Sequence, residues 1–240
     1  MSQFTYQNHL DVDIHHNETY KLLQHIQFKN AFALILWGLA LMMLQFQNFV
    51  QYAFFVPAIG VGLLFMGSIK LSGENQAMYN CLRLSIVTLF FYPVYVLVIN
   101  SPLVLFKWIP VACQIVLLLL QVAYLLLFRS GLRGMLKDNN TKAVGDPVLF
   151  LLIWLILEQA AAYTGVATSL TVWVAFIVVF VILAWVVWIH STSLEENGYV
   201  LKTRPTVVST GWLVGGYGFI NLLAFVGGTL CTMSILNMFF

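Results

Sequence analysis

Apolar residues in this chain run in long stretches with short polar segments between them. An α-helix rises about 1.5 Å per residue, so about 20 apolar residues cross roughly 30 Å of hydrocarbon. Stretches of that length occur at residues 31–50, 52–71, 82–100, 105–128, 147–166, 169–190 and 206–226. The pattern predicts an all-α integral membrane protein that folds as a seven-span helical bundle.

An apolar tail, residues 229–240, follows Gly227 and Gly228. It reaches only about 18 Å as a helix, which is too short for a separate crossing. The tail is predicted either to continue the last helix or to form a re-entrant or interfacial piece, and an eighth, short span is the remaining alternative. Residues 1–30 are predicted to be a cytoplasmic segment with an amphipathic helix, ahead of a single transmembrane domain at 31–240.

Composition narrows the class of protein further. Hydrophobic residues make up 61% of the chain and charged residues 8%, whereas soluble domains carry about 25% charged residues. A chain with so few charges needs lipid as part of its solvent. The net charge of +2 is not gathered on a soluble face, so a nucleic-acid partner is not expected.

The placement of lysine and arginine predicts the orientation. Of the 11 lysines and arginines, only Lys107 lies in a predicted outer connection. Because basic residues concentrate on the cytoplasmic side, the N-terminus is predicted to be cytoplasmic and the C-terminus to lie on the opposite side. Because the chain is short and compact, we expect the protein to lie in a cell membrane, and specifically in a bacterial inner membrane.

The longest inner connection, residues 129–146, is strongly basic. Its basic residues are Arg129, Arg133, Lys137 and Lys142. They are predicted either to bind anionic lipid or a cytoplasmic partner, or only to set the topology. At the end of this connection, Asp146 followed by Pro147 is typical of a helix start.

Glu158 is the one acidic residue inside a predicted span. An ionisable side chain near the bilayer centre costs about 2.5–3.5 kcal/mol on insertion scales, so it should face protein or water. The interiors of the other predicted spans contain no lysine or arginine, since Lys70, Arg83 and Lys107 lie within three residues of span ends. This favours the neutral, protonated carboxyl. Two interpretations remain open: a proton- or cation-coupling site of a transporter, and a neutral acid that hydrogen-bonds a neighbouring helix.

Polar side chains fall on single faces of the neighbouring spans. They are Thr88, Tyr92 and Tyr95 in the third span, Gln114 and Gln121 in the fourth, and Gln159 and Tyr163 beside Glu158 in the fifth. These stripes predict either the lining of a polar cavity or hydrogen bonds between helices, each contributing about 0.6 kcal/mol.

Two glycine faces predict close helix packing. Gly211, Gly215 and Gly218 share one side of the seventh span, and the first two have the Gly-x-x-x-Gly spacing. Gly60 and Gly67 lie seven residues apart on the second span. We expect both faces to approach a neighbouring helix, preferentially within the same chain.

Motifs of hydrolases, zinc enzymes and phosphate-binding loops are absent from the sequence. No catalytic residue, cofactor or metal site is predicted. The function with most support is a small transporter or a membrane subunit of a transport complex, the alternative is a non-catalytic scaffold or accessory subunit, and an intramembrane enzyme ranks third.

Overall fold

A computed structural model of the protein describes residues 30–42, 54–138, 146–163, 170–196 and 210–239. Within these ranges the chain is helical and contains no strand. The α-helices are α1 (Asn30–Met42), α2 (Phe55–Leu71), α3 (Gln76–Asn100), α4 (Trp108–Asp138), α5 (Pro147–Tyr163), α6 (Leu170–Glu196) and α7 (Thr210–Phe239), and a short 3-10 helix, Pro102–Leu105, joins α3 to α4.

Three helices contain segments that are long and apolar enough to span a membrane. The segments are Gln76–Asn100 of α3, Trp108–Leu136 of α4 and Gly211–Ile235 of α7. Large hydrophobic side chains lie on the surface of the bundle, including Phe90 at 73% and Trp212 at 86% exposure. Water would disfavour so much exposed apolar area, so the protein is embedded in a membrane.

The helices keep the order expected from the sequence but differ in their bounds. α3 begins six residues before the predicted span, because the Asn75 side chain accepts a hydrogen bond from the Met78 N–H and caps it. α4 extends ten residues beyond the predicted limit of 128, so the first part of the connection expected at residues 129–146 is helical. This extension is stabilised by burial of its apolar side chains, including Leu132 and Met135.

The C-terminal tail continues helix α7, which runs unbroken from Thr210 to Phe239. Gly228 lies inside this helix and packs against α3, where an added Cβ would meet the Leu97 carbonyl oxygen at 3.0 Å. Thr232 then donates a hydrogen bond of 2.9 Å to the Asn100 carbonyl. Of the alternatives for the tail, the structure shows the continuous helix.

Helix α3 holds the centre of the bundle and packs against α2, α4 and α7. Helix α5 packs against the far side of α4, and α6 packs against α5. An aromatic group fills the interior where α1 meets α4: Phe32 lies 5.8 Å from Phe128, which stacks on Tyr124 at 6.3 Å between ring centres. All three side chains are no more than 1% exposed.

At one end of the bundle, three contacts join the turn between α2 and α3, the last turns of α4 and the start of α5. Asn75 donates a 2.9 Å hydrogen bond to the Gly131 carbonyl, and the side chains of Arg129 and Arg133 bind Asp146. We call this the charged end. The opposite end, where the chain enters α4, has Lys107, and we call it the Lys107 end.

Candidate functional site: the buried carboxyl group of α5

Glu158 lies on the packed face of α5. The buried residues of this helix are Val148, Leu151, Leu152, Leu155 and Glu158, which follow helical spacing and form one stripe. Glu158 is only 5% exposed, and its Oε2 atom has no hydrogen-bond partner among the described residues. A buried polar atom without a partner costs about 1–3 kcal/mol, so a group kept in this state is a candidate for function.

The depth of Glu158 follows from the contact at the charged end. Glu158 lies twelve residues beyond Asp146, or about 18 Å along α5. The same distance along α4 from Arg129 reaches Leu117, and from Arg133 it reaches Gln121. Glu158 is therefore level with the middle of α4.

The polar residues predicted on α3 are hydrogen-bonded within the bundle. Gln114 of α4 donates to the Tyr95 hydroxyl at 3.4 Å. Tyr92 donates to the carbonyl of Phe54 at 3.0 Å, at the start of α2, and Thr88 donates to its own helix at Leu84. The structure thus joins Tyr95 to Gln114 across α3 and α4, whereas Tyr92 is directed toward α2.

The remaining residues of the predicted polar set lie on α4 and α5. Gln121 and Gln159 are partly buried. The side chain of Tyr163 lies outside the described part of the structure. Helix α4 packs against both α3 and α5, and a polar cavity shared by these three helices stays a prediction.

The two predicted glycine faces have different surroundings. A Cβ at Gly60 would lie 2.7 Å from the Gly38 carbonyl oxygen, and one at Gly67 would lie 2.9 Å from the Ala31 carbonyl oxygen, so the backbones of α1 and α2 are in contact. A Cβ at Gly215 or Gly218 would meet nothing within 4 Å among the described residues. Gly211, one turn before Gly215, is exposed.

The sequence analysis predicted the helix cap at Asp146 but missed the ion pairs that this residue makes with α4. Asp146 accepts a 3.2 Å hydrogen bond from the Leu149 N–H through Oδ1, while its Oδ2 binds Arg129 and, at 2.7 Å, Arg133. The sequence signal was available in the four-residue spacing of the two arginines, which puts them on one helix face. Of the other basic residues considered with them, Lys142 and the side chain of Lys137 lie outside the described residues.

A second polar contact inside the bundle was also missed. The Ser68 hydroxyl donates to the Leu64 carbonyl at 2.7 Å and lies 2.9 Å from the Tyr124 hydroxyl. Because the single Ser68 proton is used within α2, Tyr124 is the donor between the two hydroxyls. Nothing in the sequence distinguishes this pair, because its members are 56 positions apart.

The described part of the structure offers no metal site as a functional candidate in addition to Glu158. Within the described ranges, no three His, Cys, Asp or Glu side chains come together as a metal site. Comparison of the chain with known protein families, with curated proteins and with solved structures finds no match.

Proposed function

We propose that all seven α-helices cross a cell membrane, with the charged end of the bundle in the cytoplasm. The proposal is supported by the charge distribution: Lys70, Arg83, Arg129 and Arg133 belong to the charged end, and Lys107 lies at the other. The shortest fully described spans, α2 and α5, each have 17 residues and cover about 25 Å, enough for a slightly thinned bilayer.

This topology is tested by labelling single cysteines with a membrane-impermeant thiol reagent. Lys107→Cys is expected to react from outside the cell, and Arg133→Cys and Lys202→Cys only after the membrane is opened. Lys107 is a better reporter than Ser101, which is buried and caps the short helix after α3. External labelling of Arg133→Cys would reverse the orientation.

We further propose that the protein is a small transporter, or the membrane subunit of a transport complex, and that Glu158 is its ionisable group. The observation that carries this proposal is the Glu158 carboxyl, which is 5% exposed and has an unpartnered oxygen within a packed interface. Intramembrane acids of this kind are costly and characteristically serve ion or proton pathways. A structural acid would instead be expected to have both oxygens hydrogen-bonded.

The second candidate is a non-catalytic scaffold or accessory subunit. It is favoured by the hydrogen bonds that occupy Tyr92, Tyr95 and Gln114, because these bonds hold helices together. The basic surface at Arg129 and Arg133 would then meet anionic lipid or a cytoplasmic partner. An intramembrane enzyme ranks third, since no observation brings a second reactive group to Glu158.

Infrared difference spectroscopy separates the first two candidates. The carboxyl C=O band of the reconstituted protein is recorded across pH for the wild type and for Glu158→Gln, which keeps the shape of the side chain. Glu74 is also only 5% exposed, so Glu74→Gln is measured as the matched control. A band lost only in Glu158→Gln and titrating between about pH 5 and pH 8 supports the transporter.

A Glu158 band that remains protonated at every pH would contradict the transporter proposal and favour the scaffold. The functional counterpart is growth or transport in cells that depend on the protein. A transporter loses this activity in Glu158→Gln with unchanged folding and membrane insertion, whereas a scaffold retains it.

A further inference from the structure

The exposed face of α3 begins with a group of polar side chains at the charged end. Its members follow the spacing of one helix face and are Gln76, Tyr79, Asn80 and Arg83. The Gln76 amide donates a 3.5 Å hydrogen bond to Oδ1 of Asn80, and the Arg83 guanidinium lies over the Tyr79 ring, 4.6 Å from its centre. An aromatic ring attracts a cation in this position, so Tyr79 holds the guanidinium against the helix. We call these four residues the α3 polar patch.

The α3 polar patch lies at the edge of the hydrocarbon. The membrane-spanning segment of α3, Gln76–Asn100, has 25 residues and is about 37 Å long. Hydrocarbon about 30 Å thick covers about 20 of them, which leaves about two or three outside at each end. Tyr79 is then at the edge and Arg83 about one turn inside. Because side chains of a helix point toward its N-terminus, the Arg83 guanidinium extends back to the level of Tyr79.

Arg83 differs from Arg129 and Arg133 in its electrostatic surroundings. The latter two bind Asp146, whereas Arg83 makes no ion pair with a described residue. A positive charge at the edge of the hydrocarbon is stabilised by an opposite charge, and a lipid phosphate is available at this depth. A guanidinium binds phosphate through two parallel N–H···O bonds. The amide of Asn80, one turn away, adds further N–H donors.

Beyond Arg83 the exposed face of α3 is apolar. Its exposed side chains continue the same face and are Ile86, Val87, Phe90, Val94 and Leu97. Half of the hydrocarbon thickness is about 15 Å, or about ten residues of helix. Acyl chains that start level with Tyr79 would therefore run along this face to about Phe90. The order of a polar patch and then an apolar stripe matches the headgroup and chains of one phospholipid.

We propose that the α3 polar patch binds an anionic phospholipid, whose phosphate contacts Arg83 and whose acyl chains lie along α3 as far as Phe90. The proposal requires that α3 spans the membrane, and it is independent of Glu158 and of which end of the bundle is cytoplasmic. A zwitterionic lipid has the same phosphate but brings an ammonium group, whose charge repels the guanidinium. One basic residue near the membrane surface should therefore give about a fivefold preference for the anionic lipid.

The test measures by fluorescence quenching which lipid lies against α3. Phe90→Cys is labelled with a fluorophore in a chain whose native cysteines are replaced by alanine, and the protein is reconstituted in mixed phosphatidylglycerol and phosphatidylcholine. The acyl chains of one lipid or the other carry bromine, which quenches on contact. We expect brominated phosphatidylglycerol to quench about fivefold more strongly per molecule. Arg83→Gln should remove this preference, and Arg83→Lys, which keeps the charge without the fork of N–H groups, should retain part of it.

Phe219 of α7 provides a matched control at the same depth. Gly228 and then Thr232 contact the last turn of α3, so α7 and α3 run in the same direction. Phe219 is nine residues before Gly228, and Phe90 is about as far before that turn, so the two are level. Phe219 is 59% exposed, and α7 contains no lysine or arginine from Thr210 onward. A fluorophore at Phe219→Cys should therefore be quenched about equally by the two lipids.

Three results would overturn the proposal. Equal quenching by the two lipids at Phe90→Cys would show that α3 does not select an anionic lipid. The same preference at Phe90→Cys and Phe219→Cys would mean that anionic lipid gathers around the whole protein rather than at α3. A preference at Phe90→Cys that survives Arg83→Gln, with unchanged helical ellipticity, would assign the selection to other residues.

Discussion

The contact between α1 and α2 predicts a large difference between two glycine substitutions. In Gly60→Ala, the new Cβ would lie 2.7 Å from the Gly38 carbonyl oxygen and 2.8 Å from the Met42 backbone nitrogen. Both are backbone atoms, so the helices must separate. In Gly215→Ala, the same methyl group meets nothing within 4 Å among the described residues.

The magnitude of the difference can be worked from these contacts. Overpacking of a well-packed interior costs about 1–3 kcal/mol. Alanine also favours the helix over glycine by about 0.8–1 kcal/mol in water, but this contribution is common to both variants and cancels in their comparison. We therefore expect Gly60→Ala to be less stable than Gly215→Ala by about 1–3 kcal/mol.

The assay is reversible unfolding in mixed micelles, followed by helical ellipticity, with the free energy of unfolding compared among wild type, Gly60→Ala and Gly215→Ala. A second comparison uses Gly38→Ala, alone and combined with Gly60→Ala. Once one methyl has separated the helices the other costs less, so the double variant should lose less than the sum of the single losses. Equal stability of Gly60→Ala and Gly215→Ala would refute the reasoning.

Three other substitutions are expected to lower the free energy of unfolding in the same assay. Asp146→Ala removes a helix cap and its arginine contacts and should lower the free energy of unfolding by about 1–2 kcal/mol. Asp146→Asn keeps the cap and should lose less. Equal losses in the two variants would mean that the ion pairs, and not the cap, provide the stabilisation. Tyr124→Phe removes the donor to Ser68 and should cost about 0.6 kcal/mol, up to about 1.7, and an unchanged value would contradict the assigned bond. Asn75→Asp keeps the cap of α3 but cannot donate to the Gly131 carbonyl, so its stability should lie between those of wild type and Asn75→Ala.

The membrane-embedded helical class was predictable from the sequence because lipid imposes simple rules. Backbone groups inside hydrocarbon must be paired within the helix, so long apolar runs become helices in sequence order. The exact residues at which the helices begin and end were harder to predict. Asn75 and Asp146 are both caps, but only Asp146, with its adjacent Pro147, was recognised, and the extension of α4 beyond Arg129 depends on burial that hydropathy does not show.

The candidate site was predictable only in part. The prediction that Glu158 avoids lipid agrees with its 5% exposure, because an ionisable side chain is strongly disfavoured in hydrocarbon. Its relation to the polar residues of α3 depends on which helices are neighbours. Periodicity gives the face of a helix but not its partner, and the placement of α4 between α3 and α5 is a tertiary choice.

The same distinction explains why the two glycine faces differ although their sequence patterns are similar. Lipid is as apolar as the side chains it replaces, so helices in a membrane associate through close packing and hydrogen bonds rather than through hydrophobic burial. Gly60 has Gly38 opposite it, and two small residues allow the backbones to touch. Gly215 has no such counterpart among the described residues, so its Gly-x-x-x-Gly spacing alone does not produce a contact. A glycine pattern therefore predicts packing only where the facing helix is also small at the same depth.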